Sequence, residues 1–157
     1  MALVSFSRGD IIWCDFPQSP DNPDYTITGK HMAVILSDDM LPNRTVIVSP
    51  ISSWLKKDKQ GNVLKDDKGQ PIHKKLQEFH YGLRQPDYSS VLNQDSYIKL
   101  DQIFTFTRET LNGEIKGRLS KDDMFQVDLR LMIVLQMLET LKKIVEHNVS
   151  EKANQEA

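Results

Sequence analysis

Apolar residues come in short runs through the first half of the chain and at helical spacing near its end. Asp10 to Phe16 (DIIWCDF) is rich in β-formers and follows an Arg8-Gly9 turn, which predicts a strand. Met32 to Ser37 (MAVILS) is a continuous apolar run suited to a central strand. Thr45 to Ile51 (TVIVSPI) predicts the next, with Pro50 marking its end, a bulge or a sheet edge. The proline-rich Pro17 to Lys30 and the shorter Asp38 to Arg44 read as loops, the first long enough for a binding lid. Tyr97 to Thr107 is strand-like, with Tyr97, Lys99 and Asp101 on one face and Ile98, Leu100 and Gln102 on the other. Glu114 to Leu119 predicts a short closing strand. Ser120 then caps a helix, with Asp123 completing an approximate capping box. Leu131, Val134, Leu135, Leu138, Leu141 and Val145 give that helix an apolar stripe, so a single helix is expected from Lys121 to His147. Ser150 to Ala157 is polar and reads as a disordered tail. No internal repeat is visible. The layout predicts a mainly β fold with a C-terminal helix, a small bent barrel or sandwich.

One stretch breaks the pattern. Ser52 to Arg84 carries two turn signals, at residues 59–62 and 66–69. Residues 56–84 hold eight Lys/Arg against four Asp/Glu, net +4, in a chain whose overall formal charge is −2. A Lys-rich insertion over 54–84 is therefore expected to grow out of a single barrel domain spanning 1–149. It reads either as a solvated excursion or as an arm that follows a phosphate backbone.

The remaining composition narrows the function. A negative net charge confines any nucleic-acid site to a local patch. Cys14, the one cysteine, excludes an intrachain disulfide and reads as a buried thiol. His31, His73, His80 and His147 show no zinc spacing, and no Gly-rich phosphate loop or nucleophile elbow occurs, so neither metal nor cofactor is expected. No signal peptide or membrane-spanning run is found, which makes the cytoplasm the expected location and a membrane an unexpected partner.

RNA can be cut without a metal when its 2′-hydroxyl attacks the neighbouring phosphate. The protein supplies a base, an acid and groups around the phosphoryl oxygens. His31, at the mouth of a strand, either exchanges a proton or packs for structure. Ser52 and Ser53 either bond a phosphate oxygen or end their strand. Lys99 and Asp101 form either a solvated pair or a phosphate ligand beside a proton acceptor. Trp54, Phe79 and Tyr81 either stack on bases or pack the foot of the insertion. Lys30, Lys56, Lys57 and Arg84 complete the RNA-binding candidates.

The order of these motifs resembles the MazF/PemK family of toxins from Ser7 to about Leu138. The motifs are Arg8-Gly9-Asp10-Ile11-Ile12-Trp13, the run Gly29 to Ser37, the run Thr45 to Ser52, the stretch Ile98-Lys99-Leu100-Asp101-Gln102-Ile103, and Gly117-Arg118-Leu119-Ser120. The resemblance implies an SH3-like small barrel of the MazF/PemK/CcdB kind. It implies a homodimer with single-stranded RNA across its groove, and metal-independent, sequence-specific cleavage of mRNA. A cognate antitoxin that fills the groove is implied as partner. The family usually carries a catalytic Arg where His31 stands, Thr at Ser52, Asp at Asp101, and in some members Arg at Lys99. The resemblance thus casts His31 as acid or base, Asp101 as the opposing base, and Ser52 and Lys99 as phosphate ligands. Phe104 replaces a further Arg. Guanidinium forks grip phosphates in a way Lys and His do not copy. The alternative function is therefore an RNA- or antitoxin-binding protein of the same fold with little or no catalysis. A gyrase poison on the related barrel depends on a C-terminal Trp, and residues 148–157 contain none.

Overall fold

In β1 (Asp10–Phe16), β2 (Gly29–Ile35) and β3 (Thr45–Ser53), neighbouring residues feed two different cores. Ile11, Val34 and Ile51 join Leu83, Ile98, Leu100 and Val127 in one cluster. Ile12, Cys14, Phe16, Ala33, Ile35, Val46 and Val48 form the other, with Phe6 and Leu111. Continuous apolar runs such as Ala33 to Leu36 have this purpose: both faces of the strand are covered. The computed structural model describes residues 5–18, 21, 26–37, 44–111 and 113–156. Parts of the two expected loops, residues 19–20, 22–25 and 38–43, lie outside that set.

Four further strands are β4 (His80–Leu83), β5 (Ser96–Lys99), β6 (Phe104–Thr107) and β7 (Gly117–Arg118). Together the seven form an antiparallel sheet in the order β4-β5-β3-β2-β1-β7, with β6 also on β3. The expected strand over Tyr97 to Thr107 is two strands. Ser96 to Ile98 pairs with Ser53 to Ile51, Phe104 to Thr107 pairs with Val48 to Thr45, and residues 100–103 bulge between the ladders. The Ser49 hydroxyl holds the bulge by donating to the Gln102 carbonyl at 2.9 Å. Pro50 lies opposite it, where a missing N–H costs no ladder bond on that side. The curled sheet is a half-barrel with a C-terminal helix over it.

The Arg8-Gly9-Asp10 opening builds this fold. The Asp10 carboxylate is fully buried and accepts from the Ser7 N–H at 2.8 Å and from Arg118 Nε at 2.6 Å. Gly9 sits at φ +89°, with the Met124 side chain where a Cβ would stand. Arg8 donates to the Leu36 carbonyl at 2.9 Å and pairs with Asp128 of α1 (Lys121–Val134).

The capping box is half formed. Ser120 Oγ accepts the Asp123 N–H at 3.1 Å, as expected. The Asp123 carboxylate instead accepts the hydroxyls of Tyr81 and Tyr88, and Tyr88 takes the Ser120 N–H at 3.1 Å. Two tyrosines thus tie the helix start to the sheet. The single expected helix is also two. Gln136 adopts φ +56°, and α2 (Leu138–Glu156) follows, so residues 150–156 are helical where a disordered tail was expected. Leu138, Ile144, Val145 and Val149 of α2 are exposed.

The expected insertion over 54–84 contains β4, so the excursion from the sheet closes at Phe79. It also contains a repeat that the sequence reading missed. Lys57-Asp58-Lys59-Gln60-Gly61-Asn62-Val63-Leu64 is followed by Lys65-Asp66-Asp67-Lys68-Gly69-Gln70-Pro71-Ile72. In each unit the Asp carboxylate caps its own turn, Asp58 accepting from the Gln60 and Asn62 amides and Asp66 from those of Lys68 and Gln70. These bonds hold the Asp58 carboxyl below the usual carboxylate range. Residues eight apart then close a ring: Lys56 N–H bonds the Ile72 carbonyl, Ile72 N–H the Leu64 carbonyl, and Leu64 N–H the Lys56 carbonyl.

Candidate nucleic-acid interface

Polar side chains continue the face of the sheet that carries the Val46–Val48 core. The ladders align Gly82 with Tyr97 and Tyr97 with Ser52. On the other side of β3 the last pair with β2 is Ala33 with Pro50, and two residues further along the same face stand His31 and Ser52. Cys14 faces His31 from β1. Tyr97, Ser52 and His31 therefore follow one line across three strands. His80 pairs with Lys99 one step along, and Asp101 projects from the bulge. His80 Nε2 lies 3.2 Å from Asp101 Oδ1. Burial raises the Tyr97 phenol pKa, with Ser52 pulling the other way.

Lysines surround this line. Lys74 Nζ donates to the Ser53 carbonyl at 2.8 Å and sits 5.8 Å from the Tyr97 ring centre. Burial lowers the Lys74 pKa, and Lys57 and Lys99 lower it further. That mutual repulsion marks a local concentration of positive charge, two of its three members coming from the excursion. His80 is also shifted down, by burial first and by Lys99, against the opposing pull of Asp101. A line of hydroxyls, a carboxylate and several cations on one sheet face, half-buried at His31 and Ser52 and buried at Tyr97, suits a polyanionic strand that carries hydroxyl groups.

A family model for the PemK-like, MazF-like toxin of type II toxin–antitoxin systems matches residues 7–135. The chain belongs to that family. None of the curated proteins matches its sequence. Among solved structures, MazF (Form-I) from Deinococcus radiodurans is similar with a TM-score of 0.57 and 16% identity, over 85% of this chain and 98% of that one. An endoribonuclease in complex with its cognate antitoxin, from Mycobacterial species, is similar with a TM-score of 0.51 and 17% identity, over 83% of this chain and 94% of that one. Both share the MazF-like fold.

Not every predicted residue gathers on this MazF-like face. Lys30 alternates to the other face of β2, with its Nζ 5.6 Å from the Trp13 ring centre, in a depression also lined by Glu114 and Lys116. Trp54 packs on Gly82, donates from Nε1 to the Lys74 carbonyl at 2.9 Å and lies under the Arg84 guanidinium. It builds the foot of the excursion. Arg84 donates to Asp95 at 2.8 Å, and His73 Nε2 meets the same carboxylate at 2.7 Å. Burial works to raise the Asp95 pKa, but the Gln85 amide, His73 and Arg84 outweigh it and hold the carboxyl below its usual range. Ser53 lies beside this foot, its Oγ accepting the Leu55 N–H at 3.3 Å. Lys56 and Lys57 are exposed. The His31 ring meets Phe16 edge-on at 6.4 Å between centres, and Phe104 meets the same ring at 4.9 Å. Sequence reading missed His80, Lys74 and Tyr97 as site residues. His80 and Lys74 fell inside the presumed insertion, while the alternation that placed Lys99 and Asp101 on one face had already placed Tyr97 with them.

Proposed function

We propose that this chain is the toxin of a type II toxin–antitoxin pair and a sequence-specific endoribonuclease that cuts single-stranded mRNA without a metal ion. The observation that carries this reading is the line of Tyr97, Ser52 and His31 beside Lys99 and Asp101, on one face of a MazF-like barrel. In the proposed reaction the 2′-oxygen attacks the adjacent phosphorus and Asp101 takes its proton. The O2′–P bond forms and the P–O5′ bond breaks, with His31 giving a proton to the departing O5′. Ser52 and Lys99, with Lys74, meet the phosphoryl oxygens where negative charge grows. The products are a 2′,3′-cyclic phosphate and a 5′-hydroxyl end. Each step moves a proton and no electron. The proposal includes a homodimer and a cognate antitoxin that competes with RNA for this face, in a cytoplasmic setting.

The test is incubation of the purified protein with a long single-stranded RNA in EDTA, with ends mapped by primer extension. Cuts at a recurring short motif, bearing 5′-hydroxyl ends, are expected. His31→Ala and Asp101→Asn each lower the rate by about 100-fold or more while the far-UV spectrum is unchanged. Intact RNA with the native chain overturns the reading. A second reading rests on Phe104, an aromatic packed on Phe16 where the family usually supplies a cation. It is a binding protein of the same fold that retains RNA and releases no product.

A further inference from the structure

His80 belongs to none of the motifs that mark the family resemblance, yet two hydrogen bonds fix its ring. The Gln77 amide donates to His80 Nδ1 at 3.3 Å, and the His80 amide returns a bond to the Gln77 carbonyl at 3.0 Å. An amide N–H only donates, so Nδ1 presents its lone pair. An ionised carboxylate only accepts, so Nε2, 3.2 Å from Asp101 Oδ1, carries the hydrogen. One neutral tautomer satisfies both contacts, and neither the other tautomer nor the imidazolium does. The side chain is 12% exposed and lies between the rings of Phe79 and Tyr97, at 4.8 and 4.9 Å. The charged and titratable groups around it are Asp101 from the bulge, Lys99 and Tyr97 from β5, and Arg130 of α1, whose Nε holds the His80 carbonyl at 3.2 Å.

We infer that His80 is a positioning residue, locked as a neutral Nε2–H donor that fixes and aims the Asp101 carboxylate. The inference rests on the reading of Asp101 as the base. Oδ1 is occupied by the imidazole, and among the described residues the second oxygen has no partner, which leaves it for the 2′-hydroxyl proton. His80 itself transfers no proton in the reaction. Asp101 alone gains one, and returns it to solvent after the product leaves. Below its own titration the ring takes a second proton at Nδ1 and breaks the Gln77 contact, so activity falls on the acid side for two reasons that mutation separates.

The experiment compares His80→Ala and His80→Gln with the native chain. The Gln amide nitrogen replaces the Nε2 donor and does not titrate. His80→Ala is expected to lose about 100-fold in cleavage through a misaimed base, and His80→Gln to recover to within about tenfold of native. The Gln variant as inactive as the Ala variant, with its melting curve unchanged, would falsify the positioning role and make His80 a proton carrier. Two readouts need no turnover. Nitrogen NMR of the labelled ring is expected to show only the Nε2–H tautomer near neutral pH; an Nδ1–H tautomer or an imidazolium there overturns the lock. Carbon NMR is expected to show the Asp101 carboxyl resonance displaced in His80→Ala and restored in His80→Gln, and an unmoved resonance overturns the contact. If the native chain leaves RNA intact, the ribonuclease reading falls, and these spectra still decide for or against His80.

Discussion

Asp10 shows how one residue of a recognisable motif serves the fold and not the chemistry. A buried carboxylate survives only with partners, and it has two, the Ser7 amide and Arg118 Nε. Its motif neighbours, Gly9 in a left-handed conformation and Arg8 on the Leu36 carbonyl, fasten the same corner. Asp10→Asn puts an amide N–H against one of those donors. The expected loss is about 2 kcal/mol in urea unfolding. The Arg118 side chain is 59% exposed, so that partner contributes less than its distance implies. An unchanged midpoint would show that the corner is held elsewhere. Cys14 is a second structural residue, its thiol pushed up to about 12 by burial.

At the scale of elements, periodicity was a good guide where one strand or helix turn carries its own signal. β1 falls on Asp10–Phe16 as its composition requires, and Ser120 starts α1. β4 was hidden because His80–Leu83 is four residues long and follows a lysine-rich segment, so nothing local distinguishes it from the excursion. That concealment also hid His80. Lys99 and Asp101 were legible by alternation, but their separation by a bulge was not, since the bulge answers to β3 and Pro50 and not to residues 100–103 themselves. The helix break was equally silent, because Leu135, Gln136 and Met137 are all good helix formers. Gln136 is held at φ +56°, a conformation that costs a residue with a Cβ. Gln136→Gly is expected to stabilise by about 1 kcal/mol, raising the melting temperature by about 3 °C. A lower melting temperature would mean that the Gln136 side chain contributes more than its backbone costs.

Over the whole molecule the charge balance is slightly negative, yet the proposed RNA face carries three clustered lysines, Lys57, Lys74 and Lys99. On the proposed function, attraction to RNA is therefore short-ranged and screened by salt. In an Asp101→Asn background, which separates binding from cutting, replacing all three by Ala is expected to flatten the dependence of log affinity on log salt by about 2, from about 0.7 per phosphate on a single strand. Fluorescence anisotropy against a salt series measures it. An unaltered slope would place the RNA on another face. No helix among the described residues is long and apolar enough to cross a membrane.

The ring of bonds through Lys56, Leu64 and Ile72 gives the excursion a natural unit of length. Leu55 bridges His73, and Lys65 bridges Pro71. If residues 57–64 were excised, Lys65 would follow Lys56 directly, and those same two bridges would fall in register with Lys56 opposite Ile72. The ring would relax into a plain hairpin over an undisturbed Trp54 and Lys74. Removing any number other than eight leaves an amide of the ring without its carbonyl, or turns alternate side chains to the wrong face. The geometry of this part of the chain thus tolerates the loss of one whole unit and not of part of one. Each unit gained or lost changes the excursion by two lysines and leaves the residues of the sheet unaltered.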